Sequence, residues 1–377
     1  MNQRYIFSAP GRTEIGGNHT DHQHGCVLAA AVNLETLAEV TLNDSDIIRV
    51  CSDGYQDVVV GLSDLSVRLS EINTTAALVR GVAAAFVQRG AELKGFNAVV
   101  HSTVLPGSGL SSSAAFEVLI GTICNELFFE GKLSAVEIAQ IGQYAENVYF
   151  GKPSGLMDQM ASSVGGMVYM DFSDPQEPKI EKIDVDLQNL GYTLCIVDSG
   201  ANHSDLTDEY AAIPAELSQL CAFFGKQYLR EICEVEFMHA LPQLRAVVSD
   251  RAILRAIHIF QENKRVAQQA KALKNGDMET FLRLVSESGK SSWTYLQNIS
   301  PAGAVQHQEM GIALAVCDML LHGRGAYRVH GGGFAGTVQA FVPESMLNCF
   351  VSGVDAALGK GKCHIVRIRP QGGIRLK

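Results

Sequence analysis

Residues 95–128 read GFNAVVHSTVLPGSGLSSSAAFEVLIGTICNELF. A strand-like run gives way to a glycine–serine loop, and the loop opens directly into a helix with apolar spacing. Few local structures satisfy that order. Free backbone N–H groups and the positive end of the helix dipole converge on such a loop, so anions bind there. Glycines let the backbone approach a polyphosphate, and serine hydroxyls can donate to phosphate oxygens or coordinate Mg²⁺. Three consecutive serines exceed what one helix cap requires. Gly107, Ser108, Gly109, Leu110, Ser111, Ser112 and Ser113 are therefore predicted to line phosphates; the plain alternative is a tightly packed small-residue turn.

Around this segment the chain alternates strands and helices without strict βα order, which favours an α+β architecture over a doubly wound sheet. RYIFSAP reads as a strand, GRTEIGGNHTDHQHG as a glycine-rich loop, and CVLAAAVNLETLAEVTL as a second strand. TTAALVRGVAAAFVQRGAE is a helix ended by glycine, and SAVEIAQIGQYAENVYFG another. After the strand YTLCIVDSG helices dominate, among them DRAILRAIHIFQENKRVAQQAKALKNGD with a stop at Asn275-Gly276. We place a boundary near residue 190, giving halves 1–190 and 191–377. A length of 377 residues suits two domains.

A formal charge of −10 argues against nucleic acid or an anionic membrane as main partner. No apolar run approaches the ~20 residues a membrane span needs. Nine dispersed cysteines contain no CxxC pair, so neither a zinc ribbon nor a disulfide framework is indicated. A cytoplasmic, monomeric protein acting on a small molecule is expected.

Two glycine stretches are discounted as nucleotide motifs. SGKSS (288–292) lies within helical sequence and lacks the first P-loop glycine, whose place Leu284 holds. GGGFAG (331–336) has too little chain after it for a dinucleotide half-domain and reads as a tight loop packed on backbone or phosphate. Glu146 and Asp158 could divide the work of phosphoryl transfer, one holding Mg²⁺ and one facing a hydroxyl. On spacing alone a solvated glutamate and an N-capping aspartate are the favoured reading. His19, Asp21, His22 and His24 crowd one glycine-bounded loop, and the residues leave open whether it binds a metal or reads a sugar.

In order along the chain stand GRTEIGGNHTDHQHG, GSGLSSSAA, GLMDQ and GGGFAG. Together they resemble the GHMP sugar kinases, most closely the galactokinase family, over nearly the whole length. The resemblance implies an amino-terminal α+β domain with a left-handed crossover and a ferredoxin-like carboxy-terminal domain. ATP and a sugar, with Mg²⁺, would meet in the cleft between them. Asp158 takes the place of the catalytic aspartate at the sugar C1 hydroxyl, and Arg12 that of the arginine beside it. Ser113 and Glu146 match Mg²⁺ contacts, and Asn18, His19, Asp21, Gly155 and Tyr210 fall at sugar-contact positions. The histidine loop is then a sugar-reading loop.

Some positions depart from the pattern. Asn18 stands where the family has a glutamate that accepts from the C6 hydroxyl, and Glu14 where it has asparagine. Gly16 replaces an aliphatic residue, His22 a tyrosine, and Pro106 sits one place late. An arginine expected soon after Tyr210 is missing. The HTDHQ and SESGKSS spellings are similar to plant galacturonate kinases. The expected activity is an ATP-dependent sugar 1-kinase of galactokinase type. Its alternatives are a kinase for galacturonate or another C6-altered galactoside and, in a different class, a non-catalytic sugar and ATP sensor. Retention of Arg12, the three serines and Asp158 speaks for the enzyme.

Overall fold

The computed structural model describes residues 3–104, 109–201 and 206–377. The chain begins with β1 (Arg4–Gly16), β2 (Cys26–Leu42), β3 (Ile47–Ser52), β4 (Val58–Gly61), α1 (Thr75–Gln88) and β5 (Phe96–Ser102). It continues through α2 (Ser112–Phe128), α3 (Ala135–Tyr144), α4 (Met157–Val164), β6 (Met167–Asp171) and β7 (Lys179–Ile183). Then come β8 (Tyr192–Asp198), α5 (Thr207–Phe223), α6 (Glu234–His239), α7 (Leu241–Leu244), α8 (Asp250–Lys274), α9 (Met278–Ser291) and α10 (Glu309–Leu321). Last are β9 (Ala326–His330), β10 (Thr337–Pro343), α11 (Leu347–Leu358), β11 (Cys363–Val366) and β12 (Ile374–Arg375).

The first sheet runs β12-β1-β2-β5-β3-β4, with β6 and β7 continuing from the other end of β2. Its long strand β2 pairs with β6 through residues 26–30 and with β5 through residues 36–42. β3 and β5 are parallel neighbours, so β4 and α1 form the crossover between them. Phe7, Val40, Val50 and Phe96 bury this sheet's face against Val82, Phe86, Leu119 and Ile123 of α1 and α2. The second sheet is antiparallel in the order β11-β8-β10-β9. Helices follow β8 and α11 follows β10, which is the βαββαβ succession of a ferredoxin-like unit. The fold is a two-sheet α+β architecture, as expected.

Between the sheets a shared core joins Ile15 and Leu28 to Ile196, Val266, Phe281 and Phe341. The last segment returns to the first sheet: Phe7 pairs with Arg375, and Ser8 with Ile374. A division near residue 190 leaves this return unforeseen.

Two expectations are corrected. GRTEIG is strand, not loop, because β1 stays paired with β2 from Arg12↔Ala31 through Gly16↔Leu28. Asp158 is neither in a loop nor an N-cap. The chain leaves α3 through a wide-turned extension (145–150), reverses at Gly151 with φ 86°, and restarts as α4, where Asp158 is the second residue. Acidic residues suit that first turn, facing its free N–H groups.

Candidate active site

β1, the loop after it, the loop before α4 and the 331–336 loop line a cleft of about 170 Å³. Strand alternation sets one wall. Arg12 and Glu14 lie two residues apart on β1 and so share a face, and both line the cleft. Arg12 meets Asp158 in a two-pronged ion pair, Nε to Oδ1 and Nη2 to Oδ2, each 2.6 Å. Its remaining nitrogen donates to the Gly109 carbonyl, tying the pair to the glycine–serine loop before α2. Ser111 donates its hydroxyl to Asp158 Oδ2. Ser111 precedes α2 with φ 54°, a conformation uncommon for a residue with a Cβ. Burial works to raise the Asp158 pKa, but Arg12 and the Ser111 hydroxyl outweigh it and hold the carboxyl at about 2.

The sequence-predicted phosphate residues divide. Gly107 and Ser108 lie outside the described residues. Leu110 is buried and its carbonyl accepts the Arg12 backbone N–H at 3.0 Å. Ser112 and Ser113 occupy the first turn of the 17-residue α2.

In the histidine loop, His19 adopts φ 61° and directs Nε2 to the Gly332 carbonyl at 3.0 Å. A carbonyl only accepts, so we assign the proton to Nε2, which leaves Nδ1 a lone pair. Burial brings the His19 pKa down to about 3, so the ring is neutral. Asp21 lies against Gly155, where any Cβ would collide with Asp21 Oδ2. The three histidines diverge: His22 is exposed, and His24 stacks on Tyr228 with ring centroids 3.6 Å apart.

Two predicted contacts are placed differently. Tyr210 does not line the cleft; its hydroxyl donates to the Gly333 carbonyl at 2.7 Å and its ring packs edge-on to Phe334. Asn18 lines the cleft with its backbone neighbourhood, but its side chain is 0% exposed and its amide is engaged by protein groups on both sides. Together Asn18, His19 and Tyr210 hold three successive carbonyls of the GGGF loop, those of Gly331, Gly332 and Gly333.

Glu146 is buried and receives the Gln159 amide at 2.9 Å and the Lys152 ammonium at 3.0 Å. The same Gln159 amide nitrogen also donates to buried Glu117 at 2.9 Å. Burial, with Glu146 nearby, pushes the Glu117 pKa well above the usual carboxylate range. Sequence reasoning missed Glu117, Gln159, Lys152, Asn298 and Arg328. One signal was present: Glu117 is a lone carboxylate in the apolar run SAAFEVLIGTIC, and Arg328 a lone cation in AYRVH. A charge placed on a buried face calls for a partner.

The fold, the loop before α2 and the arginine-clamped aspartate define a small-molecule kinase of the GHMP class. Residues 77–166 match the GHMP kinases N terminal domain, and residues 1–42 the galactokinase galactose-binding signature. A galactokinase of Glaesserella parasuis serovar 5 (strain SH0165) is 32% identical over 345 residues, 91% of this chain and 86% of that protein. The crystal structure of Lactococcus lactis galactokinase complexed with galactose superimposes with a TM-score of 0.84 at 22% identity, covering 99% of this chain and 95% of that one. Methanococcus jannaschii mevalonate kinase shares the fold at a TM-score of 0.68 and 15% identity, covering 98% of each chain. The chain belongs to the galactokinase family.

Proposed function

We propose that the chain transfers the γ-phosphoryl group of ATP to the C1 hydroxyl of galactose. The observation that carries this reading is the Arg12–Asp158 pair at the base of the cleft. A carboxylate offers about four lone-pair sites. Arg12 takes one on each oxygen and Ser111 a second on Oδ2, which leaves one on Oδ1. The side chain keeps 30% exposure through which a hydroxyl can reach it. A carboxylate held near pKa 2 cannot strip a sugar hydroxyl in advance. It orients the hydroxyl and takes its proton as the oxygen becomes bonded to phosphorus, which suits the loose transition state of phosphoryl transfer.

The sugar lies between the two halves, 1–190 and 191–377, with His19 Nδ1, Asp21 and Glu14 offering acceptors to its hydroxyls. The ATP phosphates lie on the N–H groups that open α2. Ser113 and Glu146 would hold Mg²⁺. The surroundings fit an oxygen-seeking cation, since Glu117 Oε1 and Gln159 Oε1 are buried beside Glu146 without hydrogen-bond partners among the described residues. When bound, the ion neutralises phosphate charge. Arg12 does the same from the other side and keeps Asp158 ionised.

ADP release measured against galactose, galacturonate, N-acetylgalactosamine, glucose and arabinose tests the reading, with ³¹P NMR locating the phosphate. Galactose should give the highest kcat/KM and a 1-phosphate. Binding of both sugar and ATP without ADP release would make the chain a sensor instead.

A further inference from the structure

Asn18 stands where the family has a glutamate that accepts from the C6 hydroxyl, and a free amide there could meet either a hydroxyl or a carboxylate. Its amide is already committed. The oxygen accepts from Asn298 Nδ2 at 2.8 Å and from Ser292 Oγ at 3.3 Å. The nitrogen donates to the Gly331 carbonyl at 2.5 Å and to Glu14 Oε1 at 3.3 Å. An amide has two lone pairs and two N–H donors, and those four bonds use all of them. With no exposed surface, Asn18 has nothing to offer a ligand.

Glu14 is different. It faces the same cleft from the strand that carries Arg12 and keeps 3% exposure. Oε1 takes the Arg328 guanidinium at 2.5 Å as well as Asn18. Oε2 has no hydrogen-bond partner among the described residues. Arg328 is wholly buried and also donates to the Ile15 carbonyl at 3.0 Å, so the ion pair fixes the carboxylate in place. On balance burial raises the Glu14 pKa, and the Arg328 guanidinium against Oε1 works against that rise and favours the ionised form.

We infer that Glu14, through Oε2, is the specificity-determining acceptor for a hydroxyl of a neutral sugar, and that Asn18 only positions it. The inference deepens the sugar-kinase reading and rests on it. An ionised carboxylate is acceptor-only, so it rewards a hydroxyl and repels a sugar acid at the same point. The cleft then selects galactose over galacturonate by a fixed negative charge, a repulsive element as much as an attractive one. Compared with the family pattern, carboxylate and amide have changed places between positions 14 and 18, and here the two are in contact.

The test is kcat and KM for galactose and galacturonate in the wild type, in Glu14→Gln, and in Glu14→Gln/Arg328→Met, which leaves no unpaired buried charge. The wild type should favour galactose by about a hundredfold or more in kcat/KM. Glu14→Gln should raise the galactose KM about tenfold with kcat nearly kept, and narrow the galactose-to-galacturonate ratio by about tenfold or more. The double variant should show the same narrowing, which a mere loss of folding would not produce. Wild-type KM and ratio in both variants would overturn the inference, as would a wild type that prefers galacturonate. Calorimetric Kd values for the two sugars carry the same comparison without ATP. Absence of turnover would therefore remove the kinase reading while leaving this one decided.

Discussion

At the scale of single residues the site is governed by how many lone pairs each acceptor has left. Asp158→Asn keeps the shape of the side chain but removes both the charge and the proton acceptor. It should fold and lose turnover by about a hundredfold or more, read as kcat in the coupled assay; near-wild-type kcat would take Asp158 out of the reaction. Its pH behaviour follows from sign. The folded-state pKa is depressed to about 2, below the usual carboxylate value. The ion pair's stabilisation is therefore full above about pH 5 and is lost as pH falls through about 2. Urea unfolding of wild type and Asp158→Asn should show a constant gap from pH 5 to 8 that closes on acidification. Arg12→Lys should also be severely impaired, because a point charge cannot span both oxygens of Asp158 and the Gly109 carbonyl. A rise in KM alone would make Arg12 a residue that binds ground state and transition state equally.

At the scale of elements, the 331–336 loop is a shaped surface to which Asn18, His19 and Tyr210 are bonded. Gly333 has φ 82°, and a Cβ there would run into the Asn298 carbonyl. Gly333→Ala should lower the Tm, whereas a Gly→Ala change at a position of compatible backbone would stabilise by about 0.4–1 kcal/mol. It should weaken sugar binding as well, since His19 and Asn18 are bonded to the same loop; an unchanged Kd would separate loop from site. What was legible in the sequence here was local. The helices α1, α2 and α8 announce themselves through spacing and caps within a few residues. The partners that fix Asn18 and Glu14 do not: Asn18 and Asn298 lie 280 positions apart, and Glu14 and Arg328 lie 314 apart. Family position pointed to residue 18 as the sugar reader. Only the packing shows its amide consumed and Glu14 facing the cleft.

At the scale of the whole molecule, Glu14 on β1 and Arg328 on β9 form a buried ion pair that bridges the two sheets. Removing one partner strands the other charge in the interior, so Arg328→Met should cost about 3–5 kcal/mol in urea unfolding. Glu14→Gln/Arg328→Met should recover much of that loss, and a double-mutant cycle measures how much. Two additive penalties would mean that the pair is not coupled.

The return of β12 to β1 has a consequence for how such a chain is made. Residue 375 must lie beside residue 7 before the first sheet has its full complement of strands. Every element of the second sheet is synthesised in between. A polypeptide emerging from the ribosome can therefore pack its early helices on β1 and β2 while one edge of that sheet stays open. An open edge is where unwanted pairing between chains begins. The period of greatest exposure falls during translation of residues 184–373, and it is there that slowed synthesis or a shortage of chaperone should show as aggregation.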